Sequence, residues 1–461
     1  MIYNSVIEAI GNTPIVRLNR VARSVDANLY AKLEFTNPGG SIKDRIGYWM
    51  IEDAEKKGTL KPGGTIIEGT SGNTGVGLAM AAAIKGYKCI FILPDKMSQE
   101  KIKNLRSFGA RVVVTPTAVE PEDPRSYYSV SRRMAQEIPN SLYIDQYNNL
   151  SNREYHYQHT GPEILEQMPD IDVFIAGIGT GGTITGIGKY LKEHKPGVEI
   201  VAVDPIGSIV YEVFKTGENK TPAEGYLIEG IGEDFIPGNY DFDQIDDMVQ
   251  VGDKESFLMT RELLTSEGIY SGVSSGSAFV GALKWVRRQG DRLDDKNVLI
   301  IFPDSGNRYS SKVYDDDWMR EVGFIESKTG SVEDLMRALD KKPGDLIMAN
   351  QNDTVAAVIS QLSEAGVSQL PVLDEKGWIK GIVRESVILK SLFNRQINVD
   401  DPIEALIDTS VEYVTAGDSI ERISKLVTEG KVPLVTDPND GDNLLGIITD
   451  IDLLNFLGSR H

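Results

Sequence analysis

The segment Asn37-Pro38-Gly39-Gly40-Ser41-Ile42-Lys43-Asp44-Arg45 is the most informative stretch of this sequence. A Pro-Gly-Gly turn just before Lys43 predicts a lysine held rigidly at the start of a helix. In a dry pocket such a lysine can condense with an aldehyde. Further along, Thr70-Ser71-Gly72-Asn73-Thr74-Gly75 offers small donors and bare backbone N–H groups, which suit a carboxylate or a ring hydroxyl. Together the two segments indicate chemistry on an amino acid held by pyridoxal phosphate (PLP).

A second glycine-rich segment predicts a phosphate site. After an apolar run ending at Ala176 comes Gly177-Ile178-Gly179-Thr180-Gly181-Gly182-Thr183, followed by a helical stretch. Such a turn presents several N–H groups and the positive end of the helix dipole. We therefore expect the phosphate to be bound by Gly179, Thr180, Gly181, Gly182 and Thr183.

The same glycines also satisfy the pattern of a dinucleotide-binding loop. Asp204 closes a later strand, where an acid that binds a ribose would lie. On the local pattern this alternative competes with a PLP site. The segments around Lys43 and residues 70–75 favour PLP.

The bulk composition excludes several classes of partner. The chain has 461 residues, which predicts two or three domains. Its net charge of −20 disfavours nucleic acid and anionic membranes as partners. Cys89 is the only cysteine, so an intrachain disulfide and a cysteine-based metal cluster are excluded, which fits a reducing cytoplasm. The start of the chain lacks a signal-peptide pattern, and no apolar run approaches the roughly 20 residues of a membrane span.

Residues 1–325 predict an α/β fold. Short apolar runs alternate with helical segments such as 75–85 and 99–108, which indicates parallel strands covered on both faces in a doubly wound layout. The predicted strands are 66–67, 88–93, 111–114, 172–176, 199–203 and 297–302.

The remaining residues contain an internal repeat. The composition changes near residues 323–330, and two units of similar pattern follow. Each has a helix, a strand of Pro-Val type, a turn, a Gly-Ile strand and another helix. We expect a linker at 326–340, a first module at 341–397 and a second module at 398–461. Two such modules can bury each other's apolar faces, which one module alone could not do.

At this point the residues resemble a known family. Residues 1–325 resemble the fold type II PLP enzymes of the cystathionine β-synthase and cysteine synthase group, and the repeat resembles a pair of CBS modules. This implies doubly wound parallel sheets in two subdomains, plus a C-terminal pair of α/β CBS modules. The motifs that match in family order are the segments 37–45, 70–75 and 179–183, with Asp145-Gln146-Tyr147-Asn148, Glu229-Gly230-Ile231-Gly232 and Pro303-Asp304-Ser305.

The resemblance also implies contacts to the cofactor. Lys43, the catalytic residue, would hold PLP through its amine, and Asn73 would bond the 3′ oxygen of the ring. Ser305 would face the ring nitrogen, where a hydroxyl favours β-elimination and replacement over transamination. The substrate-binding residues would be Thr70, Ser71, Thr74, Gln146, Tyr147 and Gly230, the hydroxyls and Gln146 on the carboxylate and Tyr147 on the second substrate.

The implied reaction condenses L-serine with L-homocysteine to cystathionine and water, with hydrogen sulfide as a further product. The alternative within enzymes is cysteine synthase chemistry, from O-acetylserine and sulfide. The alternative outside enzymes is a ligand-sensing module with an inactive catalytic domain, which would require a lost lysine or a broken phosphate loop. The family also implies a homo-oligomer, either a dimer or a tetramer.

Two departures from the family concern haem and Glu233. Eukaryotic relatives carry an N-terminal haem segment with Cys and His ligands, whereas here the catalytic fold begins at residue 1, so we expect no haem. They also usually have Tyr where Glu233 follows the Gly-Ile-Gly turn. His156 and His159 have the spacing of metal ligands, but no acid or Cys completes a set, so we expect no metal.

The second module carries an intact pattern for an adenosine ligand. CBS modules often bind such ligands through Gly-Ile-x-Thr-x-x-Asp, here with Thr449 and Asp452. The first module has Arg384 and Val387 at those positions and lacks the acid. We expect one site at most, for S-adenosylmethionine first and AMP or ATP second. The alternative is that the pair only stabilises the oligomer or covers the active-site mouth.

Overall fold

A computed structural model of the chain contains two units, residues 1–314 and 315–461. It describes residues 2–70, 72–95, 97, 99–116, 119, 123–327, 329–339, 346–437 and 440–458, with the side chains of 440–443 left aside.

Apolar parallel strands form the framework of the first unit. The six strands predicted from the sequence are all present, and four more join them. The strands are β1 Ile15–Arg17, β2 Asn28–Leu33, β3 Thr65–Gly69, β4 Lys88–Pro94, β5 Arg111–Thr115, β6 Ser141–Tyr143, β7 Val173–Gly177, β8 Glu199–Pro205, β9 Asp247–Val251 and β10 Asn297–Phe302.

Helices cover these strands. The two helical segments predicted from the sequence correspond to the second and third in chain order. The helices are α1 Lys43–Lys56, α2 Asn73–Lys85, α3 Gln99–Ser107, α4 Tyr127–Glu137, α5 Ser151–Tyr155, α6 Gly161–Gln167, α7 Gly182–His194, α8 Val210–Thr216, α9 Asp253–Glu267 and α10 Val273–Gln289.

The strands form two sheets, as the predicted fold class requires. One sheet has the order β1-β2-β10-β7-β8-β9, and only the β1 pairing is antiparallel. The other has the order β5-β4-β3-β6 and is parallel. Because carboxyl ends of parallel strands meet at one edge of a sheet, the loops after β7 and β10 lie side by side.

The crossing of α1 and α2 brings two distant segments together. A Cβ built on Gly47 would lie 2.4 Å from the carbonyl carbon of Gly77. A Cβ on Gly77 would lie 2.6 Å from the carbonyl oxygen of Lys43. The two backbones are therefore in contact, and the starts of both helices, at Lys43 and Asn73, are neighbours.

The second unit contains the predicted repeat. Its strands are β11 Ala349–Asn350, β12 Gln369–Leu373, β13 Ile379–Arg384, β14 Val411–Thr415, β15 Val432–Asp437 and β16 Asp440–Ile447. Its helices are α11 Asp316–Glu321, α12 Val332–Ala338, α13 Val355–Ala365, α14 Glu385–Phe393, α15 Ile420–Thr428 and α16 Asp450–Gly458. The strands form two three-stranded sheets, β11-β12-β13 and β14-β15-β16.

The segment before the first module and the segment at the start of the second module each pack in the core of the other module. Val332 and Leu335 of α12, which comes before the first module, pack in the core of the second with Ile423 and Phe456. Ile403, in the stretch before β14, packs in the core of the first module. The exchange is symmetric, because each segment also pairs with the start of a helix in the other module. Val332 N donates to the carbonyl of Asp418, just before α15, and Val355 N, at the start of α13, donates to the carbonyl of Asp401, each at 2.9 Å.

Within the described part of the chain, no helix has both the length and the hydropathy needed to cross a bilayer.

Candidate active site

Lys43 is the first residue of α1 and points toward the loop after β7. Its Nζ donates to Thr180 Oγ1 at 3.3 Å. The turn before it is tied to the end of β10, because Ile42 N donates to the carbonyl of Pro303 at 2.8 Å. Burial lowers the pKa of Lys43 to about 8, and the nearby charge of Glu233 opposes the shift. A large share of the amine is therefore neutral near pH 8, as condensation with an aldehyde requires.

The predicted phosphate loop has open backbone donors. The N–H groups of residues 179–183 donate to no acceptor among the described residues. They precede α7, so the positive end of its dipole adds to the attraction for an anion.

Glycine is required in this loop by close approach of its neighbours. A Cβ on Gly181, whose φ is +83°, would lie 2.0 Å from the ring of Tyr240. A Cβ on Gly182 would lie 2.2 Å from Asn152 Oδ1. Thr183 Oγ1 lies 3.2 Å from His156 Nε2. His156 is fully buried, and burial lowers the pKa of its imidazole, so it supports the loop as a neutral group.

A hydrogen-bond chain joins Lys43 to the predicted substrate site. From Thr180, which Lys43 contacts, it passes to Asn152, whose Nδ2 donates to Thr180 Oγ1 at 3.2 Å and to the carbonyl of Gln146 at 2.9 Å. The side chain of Gln146 in turn accepts from Thr74 Oγ1 at 2.5 Å. Asn152 was missed in the sequence because a lone buried asparagine has no motif around it.

Thr70 lies at the same helix start. It is fully buried, and its Oγ1 accepts from Gly72 N at 3.0 Å, so it shapes the turn into α2. Ser71, also predicted to bind substrate, lies outside the described residues. Thr70, Thr74 and Gln146 are thus gathered where parallel strands β3 and β6 end.

Tyr147 belongs to an aromatic cluster. Its hydroxyl lies 3.0 Å from that of Tyr127, and its ring meets those of Tyr128 and Phe235 edge-on. Gly230 lies beside the phosphate loop, since a Cβ on Gly179 would be 2.8 Å from its carbonyl oxygen. The Gly230 and Phe235 segment therefore borders both the loop and the aromatic cluster.

Asn73, the first residue of α2, is held by two groups from the loop after β10. Its Nδ2 donates to Asp304 Oδ2 at 2.8 Å, and its Oδ1 accepts from Arg308 Nη1. Neither partner was expected from the sequence, because both contacts depend on the tertiary fold.

Ser305 is close to this group, but its hydroxyl has a local role. It is half-buried, and its Oγ accepts from Asn307 N at 3.3 Å, as the cap of a short turn. Ser274, in the first turn of α10, was missed by the sequence reasoning. It is only 3% exposed, and no hydrogen bond from its hydroxyl joins it to the described residues, as is also true of the neighbouring hydroxyls of Ser271 and Ser275. Because α10 runs antiparallel to β10, which follows it, the start of α10 lies at the carboxyl edge of the large sheet.

A buried ion cluster joins the two sheets of the first unit. Lys101 Nζ of α3 and Lys312 Nζ lie 2.5 and 2.6 Å from the carboxylate of Glu229. Burial by itself would raise the pKa of Glu229, but the two ammonium groups outweigh it and lower the pKa. The stem of Lys101 also packs on Gly72, 3.1 Å from the position of a Cβ there, so the cluster supports the loop that includes residues 70–75.

The residues of the competing interpretations lie elsewhere. Asp204 is fully buried and its Oδ2 accepts from Tyr211 N at 3.0 Å, so its carboxylate caps α8 and does not face a ribose. His159 stacks on Tyr155. In the ranges that the structure describes, no group of three His, Cys, Asp or Glu is arranged to hold a metal ion.

The residues predicted to bind an adenosine ligand cap α16. Asp452 Oδ2 accepts from Thr449 N at 2.8 Å and from Thr449 Oγ1 at 2.7 Å. In the first module, Arg384 forms an ion pair with Asp408 at 3.2 Å. The two modules therefore differ at these positions.

The first unit fits PLP. The open N–H groups of residues 179–183 would bind its phosphate, and the Lys43 amine beside that loop would meet its aldehyde. The side chains of Thr74 and Asn73 offer small donors at the neighbouring helix start. Tyr240 and Asn152 approach this loop so closely that only glycine fits at positions 181 and 182.

Comparison with known proteins adds independent information. A family model described as "Pyridoxal-phosphate dependent enzyme" matches residues 6–304, and one described as "CBS domain" matches residues 332–394 and 403–459. The cystathionine beta-synthase of Oryctolagus cuniculus is 40% identical over 472 residues, which cover 99% of this chain and 85% of that protein. The cystathionine beta-synthase of Dictyostelium discoideum is 39% identical, over 99% of this chain and 93% of that protein.

Two solved structures are similar to the catalytic region. An O-acetylserine-dependent cystathionine beta-synthase from Helicobacter pylori superposes with a TM-score of 0.61 at 38% identity, covering 68% of this chain and 98% of that one. A hydrogen sulfide-producing enzyme from Fusobacterium nucleatum gives a TM-score of 0.61 at 36% identity, covering 67% and 98%.

Proposed function

Because the chain belongs to the pyridoxal-phosphate-dependent enzymes and, within them, to the cystathionine β-synthases, we propose that it condenses L-serine with L-homocysteine. The products are L-cystathionine and water. The Cβ–O bond of serine breaks and a Cβ–S bond to homocysteine forms. We assign this reaction to residues 1–325, and a regulatory role to CBS modules at 341–397 and 398–461 after a linker at 326–340.

One observation carries the proposal: a lysine amine and an anion-binding loop lie side by side. Lys43 Nζ is 3.3 Å from Thr180 Oγ1, inside the loop with open N–H groups. PLP carries an aldehyde and a phosphate on one ring, so its site needs both features close together.

Lys43 then acts as the acid and base of the reaction. When bound, PLP supplies electron uptake, because its conjugated ring accepts the electron pair left at the Cα of the substrate. With the cofactor and substrate bound, Nζ of Lys43 would take the proton from the Cα of the substrate. The same Nζ delivers a proton to the departing serine oxygen, which leaves as water. A pKa of about 8 suits both steps.

The remaining contacts are assigned to neighbouring residues. Thr70, Ser71, Thr74 and Gln146 bind the carboxylate of the amino-acid substrate, and Asn73 binds the 3′ oxygen of the ring. Tyr147 and Gly230 border the second substrate. The hydrogen bond between Thr74 and Gln146, at 2.5 Å, supports a shared role.

The ring nitrogen has two candidate partners, Ser305 and Ser274. The family resemblance favours Ser305, but its hydroxyl already accepts from Asn307 N, whereas Ser274 is buried and its hydroxyl makes no hydrogen bond within the described structure. Comparing Ser274→Ala with Ser305→Ala decides between them. The variant that loses PLP affinity and shifts the visible absorption of the bound cofactor identifies the partner, and an unchanged spectrum excludes that residue.

A four-way assay tests the proposed reaction. Serine or O-acetylserine is offered with homocysteine or sulfide, and the products are identified by mass spectrometry. We expect the highest kcat/KM for serine with homocysteine, and no product from Lys43→Ala. Borohydride reduction followed by peptide mapping should label Lys43, and a label on another residue would contradict the mechanism.

The second candidate function uses O-acetylserine as the first substrate. It is favoured by the similarity to the Helicobacter pylori enzyme, which is O-acetylserine dependent by name. The similarity to a hydrogen sulfide-producing enzyme makes sulfide chemistry a further activity to measure. A kcat/KM higher for O-acetylserine with homocysteine than for serine would replace the first proposal, and cysteine from O-acetylserine and sulfide would indicate cysteine synthase chemistry.

We infer one adenosine-ligand site, at Thr449 and Asp452 of the second module. S-adenosylmethionine is the first candidate, and AMP or ATP is the second. The intact Gly446, Thr449 and Asp452 pattern supports the site, and the Arg384–Asp408 ion pair argues against a matching one in the first module. Calorimetry should show heat that is lost in Asp452→Asn. No heat with any of these ligands leaves only a structural role.

We also infer a haem-free homodimer, or a homotetramer, in a reducing cytoplasm. Cys89, the sole cysteine, lies in β4, and burial raises the pKa of its thiol to about 12, so it is poorly suited to be a thiolate ligand. Sedimentation analysis reports the oligomeric state, and the absorption spectrum of the purified protein reports haem.

A further inference from the structure

The side-chain amide of Asn73 has its orientation determined by the chemistry of its two partners. A carboxylate such as that of Asp304 only accepts hydrogen bonds, and a guanidinium such as that of Arg308 only donates them. Asp304 Oδ2 therefore requires Nδ2 of Asn73, at 2.8 Å, and Arg308 requires Oδ1. An amide rotated by half a turn would point its oxygen at the carboxylate of Asp304 and its N–H groups at the guanidinium of Arg308. Only the observed orientation is therefore compatible with both partners.

This arrangement leaves one donor of Asn73 unused. A primary amide has two N–H groups and one oxygen. Arg308 occupies the oxygen and Asp304 takes one N–H, and the second N–H has no acceptor among the described residues. Asn73 is 9% exposed, so its amide is largely withdrawn from solvent. A largely buried donor without a partner is unfavourable unless a ligand supplies the acceptor.

Both partners are anchored to the segment that carries Lys43. Arg308 Nη2 donates to the carbonyl of Gly39, in the turn before Lys43, and Asp304 pairs with Ser41 through the backbone. Asp304 Oδ2 also accepts from the hydroxyl of Tyr309 at 2.6 Å. Arg308 is 6% exposed and Asp304 1% exposed. The two side chains thus connect the start of α1 with the start of α2.

We propose that Asp304 and Arg308 are positioning residues that aim the free N–H of Asn73 at the 3′ oxygen of the cofactor ring. This rests on the proposed function, which assigns Asn73 to that oxygen. Arg308 has a second effect, because a guanidinium next to the amide favours a negative charge on the oxygen that the amide binds. The fixed N–H donor and the charge of Arg308 therefore favour the ionised 3′ oxygen over its neutral form, and Asp304 contributes by holding the amide in its orientation.

The test uses the absorption spectrum of the bound cofactor. The visible band belongs to the form with an ionised 3′ oxygen, and the near-ultraviolet band belongs to the neutral form. The full chain is loaded with PLP as wild type, Asn73→Ala, Arg308→Met, Arg308→Lys and Asp304→Asn. The ratio of the two bands is recorded at one pH, together with the Kd for PLP from fluorescence quenching.

We expect Arg308→Met and Asp304→Asn to shift absorbance from the visible to the near-ultraviolet band and to weaken PLP binding about tenfold or more. Arg308→Lys keeps the positive charge but not the two separate guanidinium donors, so it should retain more of the visible band than Arg308→Met does. Asn73→Ala should show the largest shift. Asn307→Ala, an exposed neighbour in the same turn, is the matched control and should have the wild-type spectrum.

The outcomes separate this inference from the proposed function. If wild type binds no PLP, or Lys43 is not its attachment point, the proposed function fails. If wild type and Asn73→Ala behave as expected but the Arg308 and Asp304 variants have the wild-type band ratio, the positioning role is wrong. Melting curves of the apoproteins identify a variant that fails to fold. If Arg308→Met fails to fold, the spectrum of Arg308→Lys decides, and if Asp304→Asn fails to fold, the spectra of the two Arg308 variants decide.

Discussion

Lys43 illustrates how one residue acquires its reactivity from its surroundings. Burial removes water that would stabilise the ammonium, which lowers the pKa, while the charge of Glu233 works in the opposite direction. Because the charge of Glu233 raises the pKa of Lys43, it limits how reactive the amine becomes at neutral pH.

The first prediction concerns the pH dependence of cofactor attachment. Only the neutral amine condenses with PLP, so the rate of attachment to the apoprotein should rise with pH and level off above about 8. Glu233→Gln removes the charge that raises the pKa of Lys43, so its profile should move to lower pH. Stopped-flow absorbance measures both profiles. The surface variant Glu224→Gln is the control, and a Glu233→Gln profile that matches it would contradict the assignment.

Asp204 gives a second prediction, on stability. Burial raises the pKa of this carboxyl from its usual value of 3.8 to about 7. Between these two values the folded chain keeps a proton that the unfolded chain loses, so this contribution to stability falls as the pH rises. From pH 5 to pH 8 the loss should be about 2.5 kcal/mol, and Asp204→Asn should remove it. Urea unfolding of the apoprotein at both pH values measures it; equal slopes for wild type and variant would contradict a raised pKa.

At the scale of elements, the crossing of α1 and α2 assembles the site. The contact between Gly47 and Gly77 sets the distance between the two helix starts, and hence between Lys43 and Asn73. The loop after β7 then completes the site through Thr180. The two helices and this loop come from different parts of the sequence. Helix α1 contributes the Lys43 amine, α2 contributes the Asn73 amide, and the loop contributes the N–H groups of residues 179–183.

Gly77→Ala tests this crossing. The added methyl would lie 2.6 Å from the carbonyl oxygen of Lys43, which is backbone and has no rotamer to change. We expect a loss of about 1–3 kcal/mol in the free energy of unfolding, together with weaker PLP binding. Denaturant unfolding and fluorescence titration measure the two effects. Gly225→Ala, which adds a methyl in open space, is the control. Unchanged PLP affinity in Gly77→Ala would show that the crossing does not determine the site.

The sequence predicted the elements with strong local patterns and missed those that depend on distant partners. The apolar strands β4, β8 and β10 were evident. Strand β2 was missed because it contains Lys32, which is fully buried. Its ammonium is tolerated there because it pairs with Glu163 at 2.7 Å and also donates to Gln167 and to the carbonyl of Thr13.

The same division holds for the site. Lys43 and the phosphate loop carry motifs and were predictable, and the family resemblance supplied Asn73, Thr74 and Gln146. Asn152 and Arg308 were not predicted, because their roles arise only when segments far apart in the chain meet. Ser274 belongs to a run of small residues at 274–277 that looks like an ordinary helix start.

At the scale of the whole molecule, the exchange of segments makes the two CBS modules one cooperative unit. Leu335, which precedes the first module, lies in the second core, and Ile403, near the start of the second module, lies in the first core. A change in one module is therefore transmitted to the other through shared packing rather than through a flexible connection.

Leu335→Ala tests this sharing. Leu335 is fully buried in the core that contains Ile423 and Phe456, although it precedes the first module in the chain. We expect a loss of about 2–5 kcal/mol, felt in α15 and α16. Hydrogen exchange of the full chain measures protection in those helices. Arg337→Ala, on the exposed face of α12, is the control and should leave protection unchanged. Normal protection of α15 in Leu335→Ala would show that α12 is dispensable.

The exchanged segments also determine when the second core can close during synthesis. Val332 and Leu335 leave the ribosome well before Phe456, their neighbour in that core. At typical rates of translation the delay is roughly 6 to 24 seconds. The native neighbours of α12 in this core are made in stages, Ile423 of α15 before Phe456 of α16, so the core stays incomplete until α16 is made.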